Sequence, residues 1–212
     1  MDIGTVFLLT AIGAGVIDVL VLIAGPRIKN YETISQVLAL IGFLSSVAAL
    51  AWMGVLIFSN EFQYEYVYLT TKTTASWPLK LSALWAGQSG SLVFWSMLSF
   101  LLYFGFRMLV RGYEDDTIVY RAAVIMIMQT VLITVNAVVS DPFRLVPASV
   151  PTEGLGLNPL LSTIWNVIHP PIVFVAYALA VVPFSIKLAG FTVRSEERDS
   201  DPIPVVESVA RL

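Results

Sequence analysis

An all-α, polytopic transmembrane helix bundle of about five spans is the fold class that three observations predict. Of the 212 residues, 57% are hydrophobic and only 13% are charged. The mean hydropathy is +0.81, outside the range of an ordinary soluble domain. The apolar residues also gather into runs of the length that a bilayer requires, roughly 17–25 residues each.

The runs cover about Ile3–Ala24, Val37–Phe58, Ser91–Val110, Val119–Val139 and Ile164–Leu188. The first is read as a true span, because Met1–Asp2 offers no positive n-region and no cleavage site closes the segment. The second and third enclose a connection, Ser59–Gly90, that carries Phe62, Tyr64, Tyr66, Tyr68, Trp77 and Trp85. The fourth and fifth enclose another, Ser140–Thr163, with Pro142, Pro147, Pro151 and Pro159 beside Gly154 and Gly156. Neither connection has the charge of a solvated linker. Both are expected to lie on the membrane surface, where an interfacial aromatic belt accounts for part of the rings. The Pro pair Pro170–Pro171 fits a first helical turn, so the fifth helix is expected to begin at about Pro170, with His169 at the boundary. Residues 1–192 form the membrane domain, and 193–212 a polar, Pro-containing cytoplasmic tail.

Basic residues orient the bundle. One side has Arg27, Lys29, Arg107, Arg111, Arg121, Lys187 and the tail residues Arg194, Arg198 and Arg211; the other has only Lys72, Lys80 and Arg144. By the positive-inside rule the N-terminus and both long connections face outward and the tail is cytoplasmic. The chain is expected in the cell's inner or plasma membrane, surrounded by lipid.

Composition also excludes chemistry. A net charge of −3 without a basic tract argues against nucleic-acid binding. Absence of Cys removes disulfides and thiolate metal sites, and a single His makes a zinc site improbable. That histidine, His169, has two readings: a structural imidazole bonded to a carbonyl, or one axial ligand for haem iron under the aromatic connections. A haem held by two histidines of this chain is excluded. Asp18, within the first span, is expected to pair near Arg107 or Lys187 rather than to transfer protons. Gln129 and Asn136 are expected to hydrogen-bond between helices.

The stretch "SALWAGQSGSLVFW" places Ala86, Gly87, Gln88, Ser89, Gly90 and Ser91 between Trp85 and Trp95. Small residues there allow close packing, and a helix N-terminus starting there offers N–H groups to a ligand carboxylate.

Two longer stretches carry a resemblance. "WPLKLSALWAGQSGSLVFW" (residues 77–95) and "GLGLNPLLSTIWNVIHPPIVFVAYALAVVPF" (residues 154–184) are similar, in content, order and separation, to two segments of the CcmF-type haem lyases of cytochrome c maturation, relatives of the nitrite-reductase-associated lyases. The resemblance covers most of residues 60–190. It implies a bundle that handles b-type haem in transit and attaches its vinyl groups to the thiols of a Cys-x-x-Cys-His sequence in apocytochrome c. His169 matches the family's first external haem-ligating histidine, making haem iron the only metal expected. Trp85, Gly87, Gln88, Gly90, Ser91 and Trp95 match the motif beside the haem path, and Pro170 and Pro171 complete the histidine motif. Gln88 and Ser89 depart from the family, which commonly has a polar residue or His followed by Glu.

The family's Trp-rich segment, second external histidine and two intramembrane haem ligands have no counterpart here. The resemblance thus implies the N-terminal part of a split or reduced lyase, catalytically incomplete alone. Its partners would be a C-terminal lyase chain bearing the Trp-rich segment and further histidines, a haem chaperone and apocytochrome c. Lys72, Lys80 and Arg144, as the outward cations, are the candidates for holding haem propionates. The catalytic residues are not identified. Two other readings remain: a non-catalytic assembly or anchoring subunit, and a small transporter component. The latter is disfavoured by spans with few polar or broken segments.

Overall fold

The structure, a computed structural model, describes residues 1–111, 117–147 and 149–192. The expected tail, 193–212, lies outside the described residues. Among the described residues there are seven α-helices: α1 (Ile3–Ala24), α2 (Tyr31–Phe58), α3 (Glu65–Thr70), α4 (Trp77–Ala86), α5 (Gln88–Leu109), α6 (Thr117–Val139) and α7 (Ile164–Thr192). Five of them, α1, α2, α5, α6 and α7, are long and apolar enough to cross a membrane, and the chain is an all-helical multi-pass membrane protein. The short helices α3 and α4 lie in the first long connection.

Local chemistry sets the ends. Asp2 N-caps α1 by accepting from the Gly4 N–H at 2.7 Å, and Gly25, at φ +50°, ends it. The α2 helix starts at Tyr31, six residues before the apolar run, after a left-handed Asn30. The α4 helix has Trp77 and Pro78 in its first turn, where a missing N–H costs nothing.

In the bundle α1 packs against α2 and α6, α5 lies between α2 and α6, and α7 covers α6, α5 and α4. Small residues line the seams, Ala11, Ala39, Ala49, Ala122 and Ala123 among them, which lets the backbones approach closely. At the end remote from the N-terminus, Phe100, Tyr103, Phe106, Met126 and Ile127 fill the core. Asp18, Ser35, Tyr103 and Arg107 are all fully buried there. Tyr103 Oη donates to Asp18 Oδ2 at 2.5 Å, and Arg107 acts on Asp18 electrostatically. Asp18 is thus paired across helices, as expected, through a tyrosine beside Arg107. The polar residues of α6 behave differently from expectation. Asn136 bonds the Leu132 carbonyl of its own helix, and Gln129 Oε1 has no partner among the described residues. The interhelical bond is Ser96 to Thr134, at 2.7 Å. Hydroxyls on facing seam positions reach across, whereas Asn136 sits on an exposed face.

The N-terminus and both long connections converge at the other end. Asp2 accepts from Trp52 Nε1 at 3.1 Å and Tyr64 Oη at 2.7 Å, besides Gly4. Burial and this carboxylate push the Tyr64 phenol up to about 12. The connections pair as an isolated bridge between Tyr64 and Leu145, reinforced by an Arg144–Glu65 ion pair at 3.1 Å. Further along, the Leu155 N–H donates to the Tyr68 carbonyl at 2.8 Å. Glu153 accepts from the N–H and hydroxyl of Thr73, and these bonds hold its carboxyl below the usual range. Gly154 is required where the two connections meet, since a Cβ there would stand 2.0 Å from the Thr71 carbonyl oxygen.

Candidate functional site

The patch that separates Trp85 from Trp95 is a joint between α4 and α5. The Tyr66 side chain, presented by α3, fills it: Tyr66 Oη donates to the Ala83 carbonyl at 2.8 Å and accepts from the Gly87 N–H at 3.2 Å. Burial pushes this phenol far up, so it stays a neutral donor. The α5 amides are therefore met by a hydroxyl of the same chain. Gly90 is required because a Cβ there would lie 2.1 Å from Tyr66 Oη and 2.4 Å from the Leu84 carbonyl oxygen. Ser91 donates to the Trp85 carbonyl, and Ser89 to that of Ser140, both within 2.9 Å. Gln88 is exposed beside them.

From this joint the two motifs meet. Trp85 Nε1 donates to the Asn166 carbonyl at 2.8 Å, and both residues are buried. The reason lies in Pro170: it has no N–H, so the Asn166 carbonyl lacks its i→i+4 partner inside α7. The indole takes that place. The same fact corrects the expected helix start. The α7 helix begins at Ile164, so His169, Pro170 and Pro171 lie in its second and third turns. An external donor satisfies the carbonyl that Pro170 leaves free, and the helix runs through. An aromatic cluster extends the contact: Trp85 on Phe94 at 5.4 Å, Phe94 edge-on to Phe174 at 5.9 Å, and Trp95 beside Phe174 and Tyr177 at 6.2 and 6.1 Å.

His169 points away from all of this. It is exposed, on a stripe with Trp165, Ile172 and Ala176 that recurs at helical spacing along the outer face of α7. Of the five spanning helices α7 is the least covered by the rest of the chain, with 28% of its apolar window buried against 50% for α5. The expected haem contacts thus divide. His169 is presented outward, Trp85 and Trp95 pack against the covered side of the helix that carries it, and Gly87, Gly90 and Ser91 sit in the joint beside Trp85 and Tyr66. An exposed imidazole flanked by apolar side chains fits one axial position and one face of a haem. Among the described residues no cluster of His, Cys, Asp and Glu suits another metal ion.

The three cations expected on the outer side also differ. Lys80 is buried and donates to Asn60 Oδ1 at 2.7 Å, and Arg144 is held by Glu65. Lys72 is exposed, with no carboxylate within 4 Å among the described residues. The sequence motifs did not single out Tyr66 or Asn166; the only available signals were the extra tyrosine in an aromatic run and a Pro four residues after Asn166.

Replacing Trp85 by Phe keeps the stacking and removes the donor, stranding a buried carbonyl at a cost of about 1–3 kcal/mol. Thermal unfolding in detergent checks this. In a Pro170→Ala background the Asn166 carbonyl regains its helical N–H, so the cost of Trp85→Phe should shrink, as a double-mutant cycle would read.

Fold and site together define a multi-pass helical membrane protein whose first signature segment braces the helix of the second, which bears one histidine on its uncovered face. Residues 85–210 match the family described as Cytochrome C assembly protein, and the chain belongs to that family, as a CcmF-type member. It is 33% identical over 158 residues to the probable cytochrome c-type biogenesis protein NrfE of Escherichia coli, covering 72% of this chain and 28% of that protein. To the cytochrome c-type biogenesis protein CcmF of Haemophilus influenzae it is 26% identical over 148 residues, 70% of this chain and 23% of that one. The solved cytochrome c haem lyase CcmF shares the fold, with a TM-score of 0.69 at 17% identity over 92% of this chain and 31% of that structure. The chain therefore spans less than a third of the length of each of these relatives.

Proposed function

We propose that this chain is a membrane subunit of a cytochrome c maturation haem lyase, presenting His169 as one axial ligand to b-type haem at the outer face of the membrane. The observation that carries the reading is the outward His169 on the least covered helix, braced from behind by Trp85. Ligation uses a deprotonated ring nitrogen of His169. The Trp85–Asn166 bond fixes the turn of α7 from which the imidazole projects. Lys72, alone of the three outward cations in having neither a carboxylate nor a side-chain amide engaged, is the cation left to meet a haem propionate. Bound haem supplies the vinyl carbons to which the apocytochrome thiols add; the protein supplies position and ligation.

The site is half of one. The aligned part of this chain covers less than a third of each of these relatives; in this reading a partner chain covers the α7 face and brings the second ligand, with a haem chaperone and apocytochrome c engaging the assembled complex. The N-terminus and both long connections face outward and the tail inward in the cell's inner or plasma membrane, from the nine-to-three bias in basic residues. Residues 1–192 make up the membrane domain. Purifying the tagged chain from mildly solubilised native membranes tests the reading. A second polytopic chain rich in Trp and His, together with haem, is expected to co-purify. Recovery of the chain with lipid alone would overturn it.

A further inference from the structure

A cavity of about 350 Å³ opens between the end of α3, the start of α4 and the segment leading into α7. Thr71, Lys72, Thr74, Ser76, Leu79 and Ser162 are among the residues that line it, and among the described residues no carboxylate does. Three features make it suited to an anion. Lys72 is among its lining residues and brings the positive charge. Thr71, one of the lining residues, is only 1% exposed, and its Oγ1 is buried without a hydrogen-bond partner, an unengaged hydroxyl next to the cavity. Ser76 N-caps α4 without its hydroxyl closing on the first-turn amides, so the positive end of that helix stays open.

Glu153 interacts electrostatically with Lys72. Its oxygens are engaged by Thr73 and the Gly154 N–H, and it does not line the cavity. Exposed apolar side chains neighbour the lining residues in the chain: Trp77 follows Ser76, and Leu160 and Trp165 flank Ser162, at 70%, 85% and 70% exposure. A ligand lodged here would place a charged group in the cavity and an apolar body against these side chains.

We propose that the cavity binds the oxyanion group of an amphiphile, a carboxylate or a phosphate carried on an apolar body. Two sources have this chemistry: a haem propionate, which rests on the function proposed above, and a phospholipid headgroup, which does not. The volume suits such a group and not a whole porphyrin.

Lys72 reports occupancy. The full chain in detergent is acylated with an amine-reactive ester, and modification of Lys72 is followed by mass spectrometry with exposed Lys29 and Lys187 as references. The probes are dihexanoyl phosphatidylglycerol against dihexanoylglycerol, and haemin against its dimethyl ester. Several-fold slower acylation of Lys72 with at least one anionic probe, and not with its neutral counterpart, is expected. Thr71→Val, which removes only the hydroxyl, should weaken that protection. Protection by the phospholipid alone supports the site and assigns it a phosphate, independently of His169; protection by haemin alone supports it and assigns a propionate. Equal acylation under all four probes, equal protection by the neutral forms, or protection unchanged in Thr71→Val would overturn the proposal.

Discussion

Replacing His169 with Ala is expected to cut holocytochrome c formation severely while leaving the protein inserted and bound to its partner. The size of the loss follows from ligation. Removing groups that merely orient a metal ligand costs roughly 10–100-fold, and loss of the ligand itself should cost at least as much. The fold should survive, because the imidazole is exposed and makes no hydrogen bond among the described residues. His169→Gly sharpens the experiment. If a missing ligand is the only defect, added imidazole should restore part of the yield in the Gly variant. A wild-type yield of holocytochrome c from His169→Ala would return the residue to a structural role.

Gly90→Ala should damage the fold itself. The new Cβ would meet the Leu84 carbonyl, which is backbone, and the Tyr66 hydroxyl, whose ring is packed in the core. Neither yields without opening the joint between α4 and α5. Overpacking of this kind costs about 1–3 kcal/mol. The loss should appear as a lower unfolding temperature and a smaller yield of folded protein in detergent. Tyr66→Phe in the same background should recover part of it, since that variant removes the oxygen nearest to the new methyl group. A Gly90→Ala protein as stable as the parent would mean that the joint is looser than its geometry implies.

Residues that act through their own stretch of chain were legible in the sequence. Five spans follow from hydropathy runs, and the structure has five spanning helices within a few residues of them. The pairing of Asp18 across helices was also readable, because a buried carboxylate needs a partner wherever it lies. Features that depend on a distant group were not. The Pro170–Pro171 pair suggested a helix start, since proline is usually confined to the first turn. The helix instead starts at Ile164 because an indole 81 residues away satisfies the Asn166 carbonyl. Likewise an interfacial belt accounts for only part of the rings of the first connection, and one sequence does not show which: Tyr64 and Tyr66 are buried anchors with named partners. Asn136 was expected to reach a neighbouring helix; its exposed position on α6, invisible in one sequence, turns it to its own backbone. At the site, His169 lies on the uncovered face of α7 while Trp85 and Trp95 pack on its covered side, a division that the spacing of the motifs does not show.

The claim that this chain supplies one ligand of a shared haem site is tested most directly by the electron paramagnetic resonance spectrum of ferric haem on the isolated chain and on the partnered complex. The account predicts a high-spin signal from the isolated chain, weakly bound with at most one protein ligand. It predicts a low-spin, two-ligand signal from the complex, which His169→Ala converts to high spin. A low-spin spectrum that persists unchanged in the His169→Ala complex would contradict it.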